Sequence, residues 1–192
     1  MPIALVVLIL AAAWRILALH VPELSNFSPL MALAFCSGIY FRNRWLWLAP
    51  FAALMLTDLY IDYYYATQYH YHWTAGGSVV RTLCFASAVG LGRIVSTRRS
   101  WLNFFSGALG GSLLFYLATN TASWLGDAGY APTAAGWWQA LTVGHPQFAP
   151  TFFFFRNTLA SDLIFTAAFA LAMESAAQRR GECSLLASRP TA

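Results

Sequence analysis

The sequence predicts an all-α integral membrane protein, an S-component-like bundle of six transmembrane helices with both termini cytoplasmic. Three observations carry that expectation. Of the 192 residues, 59% are hydrophobic and only 9% are charged, which is more apolar surface than a soluble domain of this length can bury. The apolar residues gather into stretches close to the roughly 20 that cross a bilayer. The arginines between those stretches all fall on one side of the implied membrane.

The first helix is expected over residues 2–20. Its beginning has the apolar core of a signal peptide, but no basic residue precedes it and the pattern continues past Trp14-Arg15, so it reads as a retained span. Pro22 and the Ser25-Asn26-Phe27-Ser28-Pro29 cluster break the chain. The second helix, residues 30–41, is short and carries Ala32, Ala34, Ser37 and Gly38, small residues that permit close packing. The third, residues 45–62, accommodates Pro50 in its first turns and brings Thr57-Asp58 to its far end. An aromatic loop with His70, His72 and Trp73 follows over residues 63–77 and suits a membrane interface. The fourth helix covers residues 78–96. The fifth covers 101–125, with a small-residue packing face at residues 107–111. A long connection over residues 126–150 is of the length expected for a functional loop or a packed lid. The sixth helix covers residues 151–174. Residues 1–178 thus form one six-helix domain, and residues 179–192 a disordered cytoplasmic tail.

Arg42, Arg44, Arg93, Arg98, Arg99, Arg179, Arg180 and Arg189 lie on one side, and Glu23, Asp62 and Asp127 on the other. This sets the orientation. All eleven basic residues are arginines scattered along the chain, so no nucleic-acid-binding run exists. Cys36, Cys84 and Cys183 form no CxxC pair, which argues against a disulfide framework or a thiolate zinc site. The sequence contains no Gly-x-Ser-x-Gly, His-Glu-x-x-His or P-loop motif. An ATP-driven process would need its motor on another chain.

With this topology the polar residues at membrane depth converge on the outward leaflet: Asp58, Arg81, Cys84, Asn120, Arg156, Asn157 and Asp162. Asn26, His70, His72 and His145 approach from the loops. Charged groups inside a bilayer face the bundle interior, a partner or a water-filled cavity, so an outward-facing pocket is expected. Asp58 with Arg81 or Arg156, and Asp162 with Arg156, are either ion pairs that tie helices together or ligand contacts. Asn120, Asn157 and Thr57 also fit interhelical hydrogen bonds. His70 and His72 fit interfacial anchoring, since no third ligand is spaced for a metal, and Arg15 is expected to snorkel or pair. Cys84, on an apolar helical stretch with Arg81 one turn before it, is the candidate for chemistry, although a cysteine in lipid is ordinarily a small apolar residue.

Several motifs together resemble a family of small bacterial membrane proteins related to the substrate-binding S-components of energy-coupling-factor vitamin transporters. The resemblance runs from Arg15 to about Phe169. It rests on Arg15 followed by Asn26-Phe27-Ser28-Pro29, the small-residue second helix ending near Gly38, Pro50 with Asp58, and Asn120 with Trp124. Tyr130-Ala131-Pro132-Thr133 with Gly136, and Phe155-Arg156-Asn157-Thr158-Leu159 with Ser161-Asp162-Leu163, complete it. A cysteine at the position of Cys84 makes the chain similar to the solitary cobalamin transporters of S-component type.

The resemblance implies uptake of cobalamin (vitamin B12) across a bacterial inner membrane. It implies Cys84 as an axial ligand of the cobalt and a ligand site near the outer surface, for which Asn26, Phe27, Asp58, Arg81, Asn120, Tyr130, Arg156 and Asn157 are the candidates. A thiolate is a soft ligand suited to cobalt, and Arg81 is placed to favour it. Base-off binding through Cys84 would weaken the upper ligand and assist removal of a cyanide. The expected partners are cobalamin or a related corrinoid, the lipid bilayer and an energising transmembrane subunit with ATPases. The alternatives are a carrier for another small vitamin, a membrane-embedded thiol enzyme and an assembly factor without a small ligand.

Overall fold

In the computed structural model, which describes residues 2–69, 75–146 and 148–186, all regular structure among the described residues is helical. The α-helices are α1 (Pro2–Leu19), α2 (Leu30–Tyr40), α3 (Leu48–Tyr69), α4 (Ala75–Ser96), α5 (Trp101–Gly126), α6 (Ala134–Leu141) and α7 (Thr151–Arg179). Short 3-10 turns at Pro22–Leu24 and Arg44–Trp47 precede α2 and α3. Three helices, α4, α5 and α7, are long and apolar enough to cross a membrane, and they mark the chain as a membrane protein.

Every expected helix is present, with shifted ends. The third starts later, because Trp45 to Trp47 form a 3-10 turn in which the Asn43 side chain accepts from the Trp45 amide at 3.0 Å. Pro50 lies in the first turn of α3, where its missing amide proton has no intrahelical partner to lose, and it is fully buried. At the other end α3 continues to Tyr69, seven residues beyond the expected stop. No glycine or proline occurs between Pro50 and Gly76, so nothing after Asp62 breaks the helix. The long connection likewise contains a helix, α6. The Thr133 side chain caps it by accepting from the Gly136 amide at 3.2 Å.

The shortest of the main helices sits at the centre. Residues 30–39 of α2 are all buried, as expected of a helix that is apolar on every side, and α3, α4, α5 and α7 pack around it. Its closest neighbour is α4. A Cβ on Gly38 would lie 2.2 Å from the Val89 carbonyl oxygen, and one on Gly92 would lie 2.1 Å from that of Phe35. Paired glycines therefore bring two backbones into contact. The expected packing face at residues 107–111 is narrower than its sequence suggests. A Cβ on Gly107 would lie 2.6 Å from the Phe35 ring, whereas one on Gly110 would meet nothing within 4 Å.

The C-terminal end of α2 is closed by Glu174 of α7. This side chain is 0% exposed and accepts from the Tyr40 hydroxyl at 2.9 Å, the Leu185 amide at 2.7 Å and Arg99 at 3.5 Å. Gly181, at φ +70°, turns the chain back after α7, and the Glu182 amide donates to the Ala177 carbonyl at 3.0 Å. The expectation of a disordered tail beyond Arg179 therefore fails through residue 186: the turn brings Ser184 to the Glu174 carbonyl at 2.9 Å and Leu185 against the core. The rest of the tail lies outside the described residues.

Candidate ligand-binding site

At the opposite end of α2 the helices part around two adjoining chambers, of about 450 and 240 Å³. Asn26, Phe115, Ser123, Phe148, Phe154 and Thr158 border both. The larger chamber lies among the ends of α1, α3 and α4 and the facing turns of α5 and α7. The smaller is covered by the connection that carries Tyr130 and His145.

An ion network forms one wall of the larger chamber. Asp58 on α3 holds Arg15 of α1 through Oδ1 at 2.6 Å and Arg81 of α4 through Oδ2 at 3.2 Å. Arg15 also donates to Thr57 and, at 3.4 Å, to the Leu54 carbonyl. Arg81 donates to Ser78 at 2.9 Å and reaches Asp62, one turn beyond Asp58, at 3.9 Å. Two guanidinium groups thus face two carboxylates, and the side chains are 15–25% exposed. Balanced charge is the condition under which such groups persist at membrane depth.

The turn before α2 forms a second wall. Asn26 adopts φ +63°, a left-handed conformation that asparagine tolerates better than most residues. Phe27 follows, with its carbonyl accepting from the Trp14 indole at 2.9 Å and its ring set against Trp14 and Phe165 at 6.2 and 5.7 Å. Across the chamber stands Asp162 of α7, 1% exposed. Ser112 of α5 donates to its Oδ2 at 2.6 Å, and the Ala32 amide in the first turn of α2 lies beside the same carboxyl. Its Oδ1 is buried without a hydrogen-bond partner.

The smaller chamber is more aromatic. Tyr116 stacks on Phe155 at 4.3 Å and donates its hydroxyl to the Leu141 carbonyl, tying α5 to the end of α6. Trp124 and Trp137 fasten the same connection, donating to the Ala131 carbonyl and the Thr121 hydroxyl, each at 2.9 Å. The Tyr130 ring meets His145 edge-on at 6.2 Å. Burial, and then the Asp127 charge, push the Tyr130 hydroxyl above the ordinary tyrosine range, so it remains a neutral donor.

Six of the residues expected at a ligand site line these chambers: Asn26, Phe27, Asp58 and Arg81 the larger, and Asn26, Asn120 and Tyr130 the smaller. Asn157 instead donates to the Glu23 and Ser25 carbonyls at 2.8 and 3.0 Å, fastening α7 to the turn before α2. Arg156 lies over the Phe153 ring at 5.1 Å and donates to Asn157 at 3.3 Å. The expected pairs of Arg156 with Asp58 and with Asp162 do not form. Positions 156 and 162 are six apart, which at 3.6 residues per turn sets them about 120° from each other around the helix.

Cys84 is 5% exposed, within the apolar core beside Phe85 and Ala88. Phe85 and Arg81 border the larger chamber, while Cys84 lies outside its lining. The Arg81 guanidinium turns to Asp58 and Ser78, so its charge is already matched by α3. Sequence reasoning expected Arg15 to snorkel or pair, and it pairs across to α3. The turn-scale placement of Ser112 beneath Asp162 carried no sequence signal. His70 and His72 lie outside the described residues. Among the described residues, no cluster of three or more His, Cys, Asp or Glu side chains could hold a metal.

The chain belongs to a family of unknown function, DUF6580, which it matches over residues 1–184. No curated protein matches it. No solved structure matches it either.

Proposed function

We propose that the protein is an inner-membrane, S-component-like uptake protein that binds cobalamin in the two-chambered cavity. Six of its helices cross the bacterial inner membrane, both termini lie in the cytoplasm and the cavity opens outward. An energising transmembrane subunit with ATPases supplies any work the chain cannot do alone. The observation that carries the reading is the larger chamber itself, a cavity whose wall holds two arginines paired with Asp58 and Asp62, with Cys84 one turn along α4 from its lining residue Arg81.

A corrinoid exceeds the drug-sized molecules that fill pockets of about 300–1,000 Å³. Binding it therefore widens the larger chamber toward Cys84 and lifts the connection over the smaller one. The Cys84 sulfur then ligates cobalt from below, a soft donor for that metal. The sulfur takes the place of the lower base, and its donation into cobalt weakens the bond to an upper cyanide, which leaves with both bonding electrons and takes up the thiol proton as hydrogen cyanide, so no oxidant or reductant is consumed.

The test is the visible absorption spectrum of cobalamin titrated with purified protein. A shift to a base-off, sulfur-ligated spectrum is expected for the natural sequence, and its loss in Cys84→Ser. Binding with an unchanged spectrum overturns the ligation. A second reading, a carrier for a smaller vitamin, is favoured by the position of Cys84 outside the lining and by a chamber of about 450 Å³, and absence of cobalamin binding would select it.

A further inference from the structure

One carboxyl oxygen in the wall of this cavity remains unmatched. Asp162 lies in the wall of the larger chamber, yet among the described residues no arginine pairs with it. Arg15 and Arg81 are held by Asp58 and Asp62, and Arg156 is on another face of α7. A carboxylate offers about four acceptor positions. Here Oδ2 takes the Ser112 hydroxyl at 2.6 Å and the Ala32 amide lies alongside, but Oδ1 has no partner. A buried acceptor left unmatched is costly, and at membrane depth an ionisable side chain of this kind marks a substrate path.

We infer that Asp162 Oδ1 is the acceptor for an N–H donor of the bound ligand, and that it sets specificity for a primary carboxamide over the corresponding carboxylic acid. The inference rests on the corrinoid reading, because a corrin ring carries primary carboxamides around its rim. The cavity geometry gives the reason for discrimination. An amide supplies an N–H group to Oδ1. An acid at the same place supplies only acceptors and brings a negative charge to a wall whose two arginines are already paired. A site built around a buried polar group rejects the analogue that lacks its partner far more strongly than an apolar site would.

The test measures equilibrium binding to the full chain in lipid nanodiscs. The probes are cobalamin and its derivatives in which single carboxamides have been hydrolysed to acids. For the natural sequence one derivative is expected to bind about ten- to hundredfold more weakly than cobalamin. In Asp162→Ala the weakening at that position falls to near onefold, and the other derivatives are unaffected. Asp162→Asn, which keeps the shape and the Ser112 contact should the alanine variant not fold, presents an N–H where Oδ1 stood and reduces the same ratio at least about tenfold. Cobalamin binding with ratios identical in the natural sequence and Asp162→Asn overturns this contact alone. Failure of the natural sequence to bind cobalamin overturns the corrinoid reading and the contact with it.

Discussion

The two ends of α2 arrange polar groups in opposite ways. At its C-terminal end Glu174 takes three donors from three different segments, and the glycines of α2 and α4 leave no space between the backbones. At its N-terminal end Arg15, Asp58, Arg81 and Asp162 stand around a chamber, and one carboxylate oxygen is left without a partner. The polar groups of the closed end are thus matched to one another, whereas at the open end the arginines are paired along one wall and Asp162 keeps one oxygen unmatched. The contrast separates stability from binding: disturbance of the closed end should unfold the bundle, and disturbance of the open end should alter what it holds.

The largest effect is expected from Gly92→Ala. Its methyl group would sit 2.1 Å from the Phe35 carbonyl oxygen, a backbone atom that cannot move without separating α2 from α4. A loss of about 3 kcal/mol follows from overpacking of this kind, read as a lowered unfolding midpoint in detergent. An unchanged midpoint would mean that α2 and α4 do not meet through their glycines.

Next is Glu174→Ala, which strands the Tyr40 hydroxyl and the Leu185 amide and is expected to cost about 2 kcal/mol. The same variant should release the tail, so that protease cleavage after Arg180 accelerates while ligand binding by the remaining folded protein is unchanged. Asp58→Asn is expected to cost less, about 1 kcal/mol. The amide oxygen still accepts from one arginine, and partial exposure of the network screens the lost charge. Its effect on ligand affinity should exceed its effect on the unfolding midpoint. The reverse order would erase the distinction between the two ends.

Much of the closed end was legible in the sequence and little of the open end was. The small residues of α2 announced close packing because helix association in lipid needs them, and Gly38 lies where that rule places it. Asp58 and Arg81 were recognisable as partners because each is costly alone at that depth. Arg156 and Asp162 were misjoined for a geometric reason, since nearness in sequence and in membrane depth ignores the direction a side chain takes around its helix. The extension of α3 past Asp62 was hidden by the polarity of Asp62 itself, whose carboxylate reaches Arg81 on the neighbouring helix. The chambers were outside the reach of any local pattern, because their walls come from helices and connections far apart in the chain. Cys84 shows the same limit: sequence could give it a height in the bundle but could not tell the lining from the layer of side chains just behind it.

The smallest expected effect comes from the Arg180–Glu182 pair, with contacts of 2.8 and 3.0 Å at the edge of the closed end. The Arg180 hydrogen bond holds the Glu182 carboxyl below its ordinary value of 4.5, and the charges of Arg180 and Arg42 act in the same direction. A carboxyl lowered in the folded state contributes stability that is present above its unfolded value and lost as the pH falls through the folded one. Both side chains are exposed, so water and salt screen the pair. Glu182→Gln should therefore leave the unfolding midpoint unchanged near neutral pH and slightly reduce the difference between neutral and acidic pH, measured by tail proteolysis from pH 7 to 4. If Glu182→Gln released the tail as fully as Glu174→Ala, the fold-back of the tail would depend on its exposed turn rather than on the buried carboxylate. The closed end would then be held from its surface.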